Sequence, residues 1–376
     1  MTHLKERVDV LVAGGGPAGM AAAIRVRQWG LSVAVIEKAD YSGIKIGETL
    51  PPEIQRPLSK LGLWGWFRRL PISESPATLS AWGGDCIQSH DFLFSPYGSG
   101  WHIDRSQFER SLADAAENSG VRVYRNAKIR NSWMDERKQW KLLVDSGAIS
   151  IELTARFAID ATGVSSSIAR TRGARRIRRD HLIAVALFFG SWSSRTIAES
   201  ATLIEAVESG WWYSAVLPNG RLIAVWMTDA DLYSDRFKND PQCAIEALRK
   251  THYTASRTSR IAMNEAPKIC AAVSSNLDCS SQENWIAVGD AKVSMDPLAG
   301  QGVYRAMISG IKAADDIFEA IVEDRWIRNN DVTFRLEIDR YLLARERHYS
   351  IEQRWSNSLF WCRRRRSRNF TGSRNV

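Results

Sequence analysis

The chain is 376 residues long, 44% hydrophobic and 25% charged, with a net charge of +9 at pH 7; this is the profile of a soluble globular protein with room for two domains. No stretch approaches the ~20 apolar residues of a membrane-spanning helix. The cysteines (Cys86, Cys243, Cys270, Cys279, Cys362) form no Cys-x-x-Cys pair and have no histidine at metal spacing, which argues against a metal centre and a disulfide framework.

Few residues precede the first apolar run at Val8, too few for a signal peptide, so a cytoplasmic location is expected. Val8 to Ala13 reads as a buried parallel strand. It enters a Gly-x-Gly-x-x-Gly turn at Gly14, Gly16 and Gly19, followed by a helix from Pro17 to Trp29 and a second strand that closes on Glu37. In such a unit the glycines allow a tight turn, close approach to a pyrophosphate and close helix packing, with the phosphates on the helix N-terminus around Pro17 and Ala18. Glu37, with Lys38 beside it, is placed to accept hydrogen bonds from an adenosine ribose and to repel a 2′-phosphate. The unit favours FAD or NAD over NADP.

A helix is expected around Ser106 to Asn118, then strands near Val121 to Tyr124, Trp140 to Val144 and Ile151 to Leu153, and a buried strand ending in Asp160-Ala161-Thr162-Gly163. Leu182 to Gly190, Ala201 to Val207, Trp212 to Leu217 and Leu222 to Met227 have the texture of an antiparallel sheet. Thr78 to Trp82 and Cys86 to Phe92 can join it, which would make the second domain discontinuous. Trp285 to Val288 leads into Gly289-Asp290, and Pro297 is followed by Gly300, Gln301, Gly302 and Val303 at the start of a long helix to Val322; another helix spans Val332 to Trp355. A Gly-Asp strand end suits the hydroxyls of a ribityl chain, and the exposed N–H groups of the following helix suit the carbonyl edge of a flavin, where negative charge develops on reduction. This second half-site moves the expected cofactor from NAD to FAD.

The positive charge is concentrated in Arg363 to Arg366, Arg368 and Arg374, and in Arg172 to Arg179. Such runs read as solvated tails or loops, or else as contacts for an acidic surface or for cofactor phosphates. No helix-turn-helix, zinc-finger or RNA-binding pattern accompanies them, so nucleic acid is not an expected partner.

Taken in order, Gly14-x-Gly16-x-x-Gly19, Asp160-Ala161-Thr162-Gly163 and Gly289-Asp290-Ala291 with Pro297 to Val303 resemble the FAD-dependent aromatic monooxygenases of the p-hydroxybenzoate hydroxylase superfamily. Gly47-Glu48-Thr49-Leu50-Pro51-Pro52 is similar to a segment that lies along the flavin in the flavin-dependent halogenase branch. Trp101-His102-Ile103-Asp104-Arg105 and Gly210 to Pro218 resemble a tryptophan-halogenase-like subgroup that includes flavoproteins maturing tryptophylquinone cofactors. The resemblance implies a glutathione-reductase-like, Rossmann-type FAD-binding domain (1–75, 101–175, 275–325), an antiparallel β-sheet substrate domain (76–100, 176–274), a C-terminal helical region (326–362) and a basic tail (363–376).

It also implies that Pro297 sits against the flavin ring with Gly300 to Val303 over its reducible edge. His102, Tyr213 and Asp296 become candidate acid-base or orienting groups, though His102 is equally a structural histidine. Arg105 either neutralises a flavin phosphate or caps the fold. Trp82, Trp101, Trp211, Trp212 and Trp226 either line an aromatic pocket or pack the core.

The departures discriminate between branches. Tryptophan halogenases carry a lysine after the Gly-Glu motif, whereas Pro76 to Asp91 contains none. Ala299 takes the place of their glutamate, and their Trp-x-Trp-x-Ile-Pro survives only as Tyr213-Ser214-Ala215-Val216-Leu217-Pro218. The resemblance therefore implies oxygen transfer from a flavin C4a-hydroperoxide to an electron-rich aromatic ring, such as a tryptophan side chain in a client peptide or protein. No second dinucleotide unit is present, so reduction is expected from docked NAD(P)H or from reduced flavin supplied by a partner reductase, with O2 as co-substrate. A halogenase and a non-catalytic flavin-binding scaffold are the alternatives.

Overall fold

The computed structural model describes residues 2–147, 149–191, 197–237, 242–259, 261–263, 265–327 and 331–365. They form two compact units, one spanning Met1–Leu70, Arg105–Arg178 and Ser274–Phe334, the other Pro71–Asp104, Arg179–Val273 and Arg335–Val376.

The first unit is built on parallel strands in the order Trp285–Ala287, Ile149–Asp160, Thr2–Ala13, Val33–Ile36, Arg122–Tyr124. Val8, Val10, Leu11, Val12 and Ala13 are buried, as befits a parallel strand covered on both faces. Two features differ from the sequence reading. The first strand starts at Thr2, because residues 2–8 pair in register with 149–155; this half is largely exposed and carried no apolar signal. The runs at 151–153 and 157–160 are one strand, Ile149–Asp160, and its antiparallel neighbour Trp140–Ser146 pairs in turn with Ala127–Met134, a strand too polar to have been read.

Three helices position the site: α1 (Pro17–Gln28), α2 (Arg105–Asn118) and α3 (Gly302–Val322). Alanines at 18, 21, 22 and 23 are buried in α1, and so small a surface lets α3 approach closely. At Gly310 the approach leaves no room for a side chain: an added Cβ would lie 2.1 Å from the Ala18 carbonyl oxygen.

The second unit contains a seven-stranded sheet in the order Lys268–Ala271, Leu182–Ser191, Arg221–Asp229, Gly210–Val216, Thr202–Val207, Ala77–Ala81, Gln88–Asp91. Its pairings are antiparallel except between Thr202–Val207 and Ala77–Ala81, which run parallel. The tryptophans weighed as pocket residues are packed into this unit. Trp82 lies against Trp211, Tyr349 and Trp361 at centroid distances of 6.4, 5.6 and 5.2 Å, and Trp212 stacks on Trp226 at 5.8 Å. The Trp211 indole N–H donates to the Tyr349 hydroxyl (3.0 Å) and that of Trp361 to the Val207 carbonyl (3.0 Å). Trp101 is buried as well.

The start of the C-terminal basic run is not a solvated tail. Arg363 and Arg364 belong to a helix, Leu359–Arg365. Arg364, almost inaccessible, donates to Asp229 at 2.7 Å, and Arg363 bridges Asp229 (2.9 Å) and Asp231 (2.6 Å). Both acids lie more than a hundred residues away in sequence, beyond the reach of a local charge count. Arg366, Arg368 and Arg374 fall outside the described residues. No described helix is long and apolar enough to cross a membrane.

Candidate functional site

The first unit gathers the glycine turn, the 45–49 segment, Arg105, Asp290 and the start of α3. Gly14 has a left-handed φ of +101°, and a Cβ there would lie 2.2 Å from the Ala161 carbonyl oxygen; only glycine fits. A Cβ at Gly16 would meet nothing within 4 Å, and α1 begins at Gly16 with no side-chain cap and no acidic residue in its first turn. That leaves free N–H donors and the positive end of the helix dipole beside open space, an anion cradle.

Glu37 is buried at the end of its strand. One carboxylate oxygen accepts from the Gly15 N–H (2.6 Å) and the other from the Ala39 N–H (2.8 Å), so the acid is tied to the glycine turn it serves. Tyr41, unread in the sequence, has a left-handed φ of +63° and donates its hydroxyl to the Gly15 carbonyl (2.9 Å). Burial, followed by the charges of Glu37 and Glu109, holds its phenol protonated at any ordinary pH.

Arg105 opens α2 and donates to the carbonyls of Ile46 and Gly47, both at 3.1 Å, and to Glu109 at 2.5 Å. Lys45 also bonds Glu109. Burial opposes the guanidinium charge, but Glu109, with Glu48 and Asp290 farther off, raises its pKa overall. Gly47 has φ +106° and a Cβ there would come 2.8 Å from Arg105 Nη1, so this glycine lets the loop wrap the guanidinium. The buried Arg105 Nε has no protein partner among the described residues. The adjoining Glu48 carboxylate accepts from the Gly47 N–H (2.9 Å).

Asp290 is exposed to solvent at this turn. Desolvation raises its pKa, with Arg105 and Arg176 pulling the other way. Arg176, one of the cluster read as a solvated loop, instead donates to the carbonyls of Asp290 (2.8 Å) and Ala291 (2.7 Å) and to the Ser166 hydroxyl (2.5 Å). Ser166, at a left-handed φ of +43°, donates in turn to the Ala291 carbonyl (2.9 Å). The Gly289-Asp290-Ala291 turn is thus clamped from below. Asp160 is also structural: it accepts from the Thr162 N–H and hydroxyl (3.0 and 2.6 Å) and from the Ala169 N–H (2.8 Å).

Pro297 starts a short turn capped by Asp296, whose carboxylate accepts from the Leu298 N–H (3.1 Å). Asp296 therefore has a structural task. Gly300 then takes φ +61°, and α3 starts after Gln301 with no side-chain cap, a second helix N-terminus with free donors at Gly302 and Val303.

These groups fit FAD. The start of α1 would hold the pyrophosphate, Glu37 the adenosine ribose and Asp290 the ribityl chain. Arg105 Nε offers a buried donor, and the start of α3 donors for the flavin carbonyl edge.

His102 and Tyr213 belong to the second unit. His102 Nδ1 hydrogen-bonds the Val216 carbonyl (3.0 Å) and Nε2 the Thr202 hydroxyl (2.9 Å), and the residue is 1% exposed. Burial, then the Arg257 charge, lowers its pKa to about 4. A neutral ring that donates from Nδ1 and accepts at Nε2 satisfies both partners, so of the two readings of His102, base or structural histidine, the structural one fits the geometry. Tyr213 is buried within Gly210–Val216. Among the described residues no acid, histidine and cysteine cluster suits a metal.

A family model for the FAD binding domain matches residues 7–324. The chain is 28% identical over 371 residues to LodB of Marinomonas mediterranea, named as an FAD-dependent oxidoreductase, covering 96% of this chain and 97% of that one. It is 25% identical over 332 residues to the 1H-pyrrole-2-carbonyl-[peptidyl-carrier protein] brominase of Pseudoalteromonas luteoviolacea (85% and 79% covered). Its fold matches the flavin-dependent halogenase CmlS with a TM-score of 0.84 at 22% identity, over 96% of this chain and 68% of the other. With its glycine cradle and two uncapped helix N-termini, the chain belongs to the FAD binding domain family and is an FAD-dependent oxidoreductase related to the flavin-dependent halogenases.

Proposed function

We propose that this protein is an FAD-dependent monooxygenase that hydroxylates an electron-rich aromatic ring, a tryptophan side chain carried on a client peptide or protein. Reduced FAD, when bound, supplies the electrons with which O2 gives one oxygen atom to the ring and the other to water. The protein's own residues would hold and orient the flavin: Gly14, Gly16, Pro17, Ala18 and Gly19 at the phosphates, Glu37 and Lys38 at the adenosine end, and Gly47, Glu48, Thr49 and Arg105 beside it. Asp290 would hold the sugar chain, and Pro297 and Gly300 to Val303 would border the ring.

The observation that carries the choice of reaction is the absence of lysine from Pro76 to Asp91. The missing ammonium, where the tryptophan halogenases carry theirs to capture an oxidised halide, favours direct oxygen transfer over halogenation; Ala299 in place of their glutamate points the same way. The likeness to LodB over nearly the full length of both chains supports a task shared with that oxidoreductase. The carrier-protein-bound substrate in the brominase's name supports a tethered substrate here.

Tryptophan-containing peptides incubated with reduced FAD and O2, with and without bromide, test this. Product heavier by one oxygen atom in equal yield under both conditions is expected. Product that forms only with bromide and carries its isotope pair would establish the halogenase instead, and bound FAD that turns over no peptide would favour a scaffold.

A further inference from the structure

Far from the flavin cleft, the first unit has a cavity of about 420 Å³ lined by Lys5, Arg7, Arg137 and Lys141 together with Glu6, Asp135, Gln139 and Thr154. The cations converge through strand register. Arg7 pairs with Thr154, and Thr154 with Lys141, so three adjacent strands set these side chains in one row across the sheet. Arg137 overhangs from the turn joining Ala127–Met134 to Trp140–Ser146.

The acids nearby are already engaged. Glu6 takes Arg122 at 2.8 Å. Asp135 accepts from the Arg137 and Gln139 N–H groups at 3.0 and 2.9 Å. Glu152 is shared by Lys5 (3.7 Å) and Lys141 (3.6 Å), and Lys141 also donates to Thr154 (2.8 Å). Among the described residues the guanidinium groups of Arg7 and Arg137 have neither a carboxylate nor a hydrogen-bond partner, although both line the cavity.

We propose that this cavity is a second anion site, for a phosphoanion of the pyrophosphate class. Two planar guanidinium forks match adjacent phosphate oxygens, and Lys5 and Lys141 add point charges at the rim. Arg7 lies seven residues before Gly14, which at ~3.3 Å per strand residue is about 23 Å from the glycine turn. A ligand here cannot pass hydride to the flavin, so the site is a binding or regulatory one, separate from the cofactor's own pyrophosphate.

Titration calorimetry of the FAD-saturated protein with pyrophosphate, against sodium chloride of equal ionic strength, tests this. FAD saturation removes the glycine cradle from competition. One saturable equivalent is expected in the parent protein, weakened about tenfold or more in Arg7→Gln/Arg137→Gln with the flavin spectrum unchanged. Arg137→Gln alone, on an exposed turn, gives a smaller loss and serves where the double variant folds poorly. No saturable heat beyond the chloride control, or equal affinity in parent and variants, would overturn the proposal.

Discussion

Gly310→Ala sets two effects of opposite sign against each other. Gly310 lies inside α3, where alanine is the better helix former by about 1 kcal/mol, so propensity alone predicts a more stable protein. The α1–α3 crossing predicts the reverse. The new Cβ would sit 2.1 Å from the Ala18 carbonyl oxygen and 3.1 Å from both the Ala18 carbonyl carbon and the Ala22 nitrogen. Ordinary contacts need about 3.5 Å, so the helices must part by about 1.4 Å. The obstacle is backbone, which cannot rotate away, and the cost falls toward the upper end of the roughly 1–3 kcal/mol of core overpacking. Packing wins by about 1–2 kcal/mol. For a cooperative unit of this size that lowers Tm by about 2–8 °C. The same displacement moves the N-terminus of α1, so FAD affinity falls too. Thermal unfolding by circular dichroism, with and without FAD, and a flavin fluorescence titration measure both effects. A Tm equal to or above that of the parent would refute the reasoning, since propensity would then have outweighed the crossing.

Glu37→Ala removes the acceptor of the Gly15 and Ala39 N–H groups; each such bond to a charged group contributes about 1.5–3 kcal/mol, and FAD binding is expected to weaken at least tenfold in the same titration. Asp229→Asn leaves the inaccessible Arg364 without its compensating charge, and a loss of about 3–5 kcal/mol should appear as a lower midpoint in urea unfolding. His102, held at about pKa 4 against an unfolded value near 6.5, binds its proton more readily in the unfolded chain. Stability should therefore fall as pH drops through 6.5 toward 4, by about 3 kcal/mol in all, with no contribution above 6.5; His102→Gln should flatten that part of the profile, and an unchanged profile would show that the imidazole is not the group responsible.

What was legible in the sequence depended on range. The strand, glycine turn and helix around Gly14 to Gly19 follow from constraints within thirty residues, where one apolar run and one turn chemistry agree, and α1 and α3 start within a residue of their expected positions. Arg176, Gly310 and Tyr41 were not legible, because each matters through a partner brought near only by folding: the Asp290 carbonyl, Ala18 and the Gly15 carbonyl. The same limit explains Arg363 and Arg364, which look like a tail until Asp229 faces them. His102 shows the converse, since a residue type suited to catalysis proves to be satisfied on both ring nitrogens.

If hydroxylation is the reaction, an atom of molecular oxygen, and not a halide, ends on the aromatic ring. The most direct test is a single-turnover reaction of the reduced, FAD-loaded protein with heavy-isotope O2 and a tryptophan-containing peptide in bromide buffer, with the product read by mass spectrometry. One heavy oxygen atom on the indole and no bromine are expected. A brominated peptide, or a hydroxyl drawn from ordinary water, would contradict it.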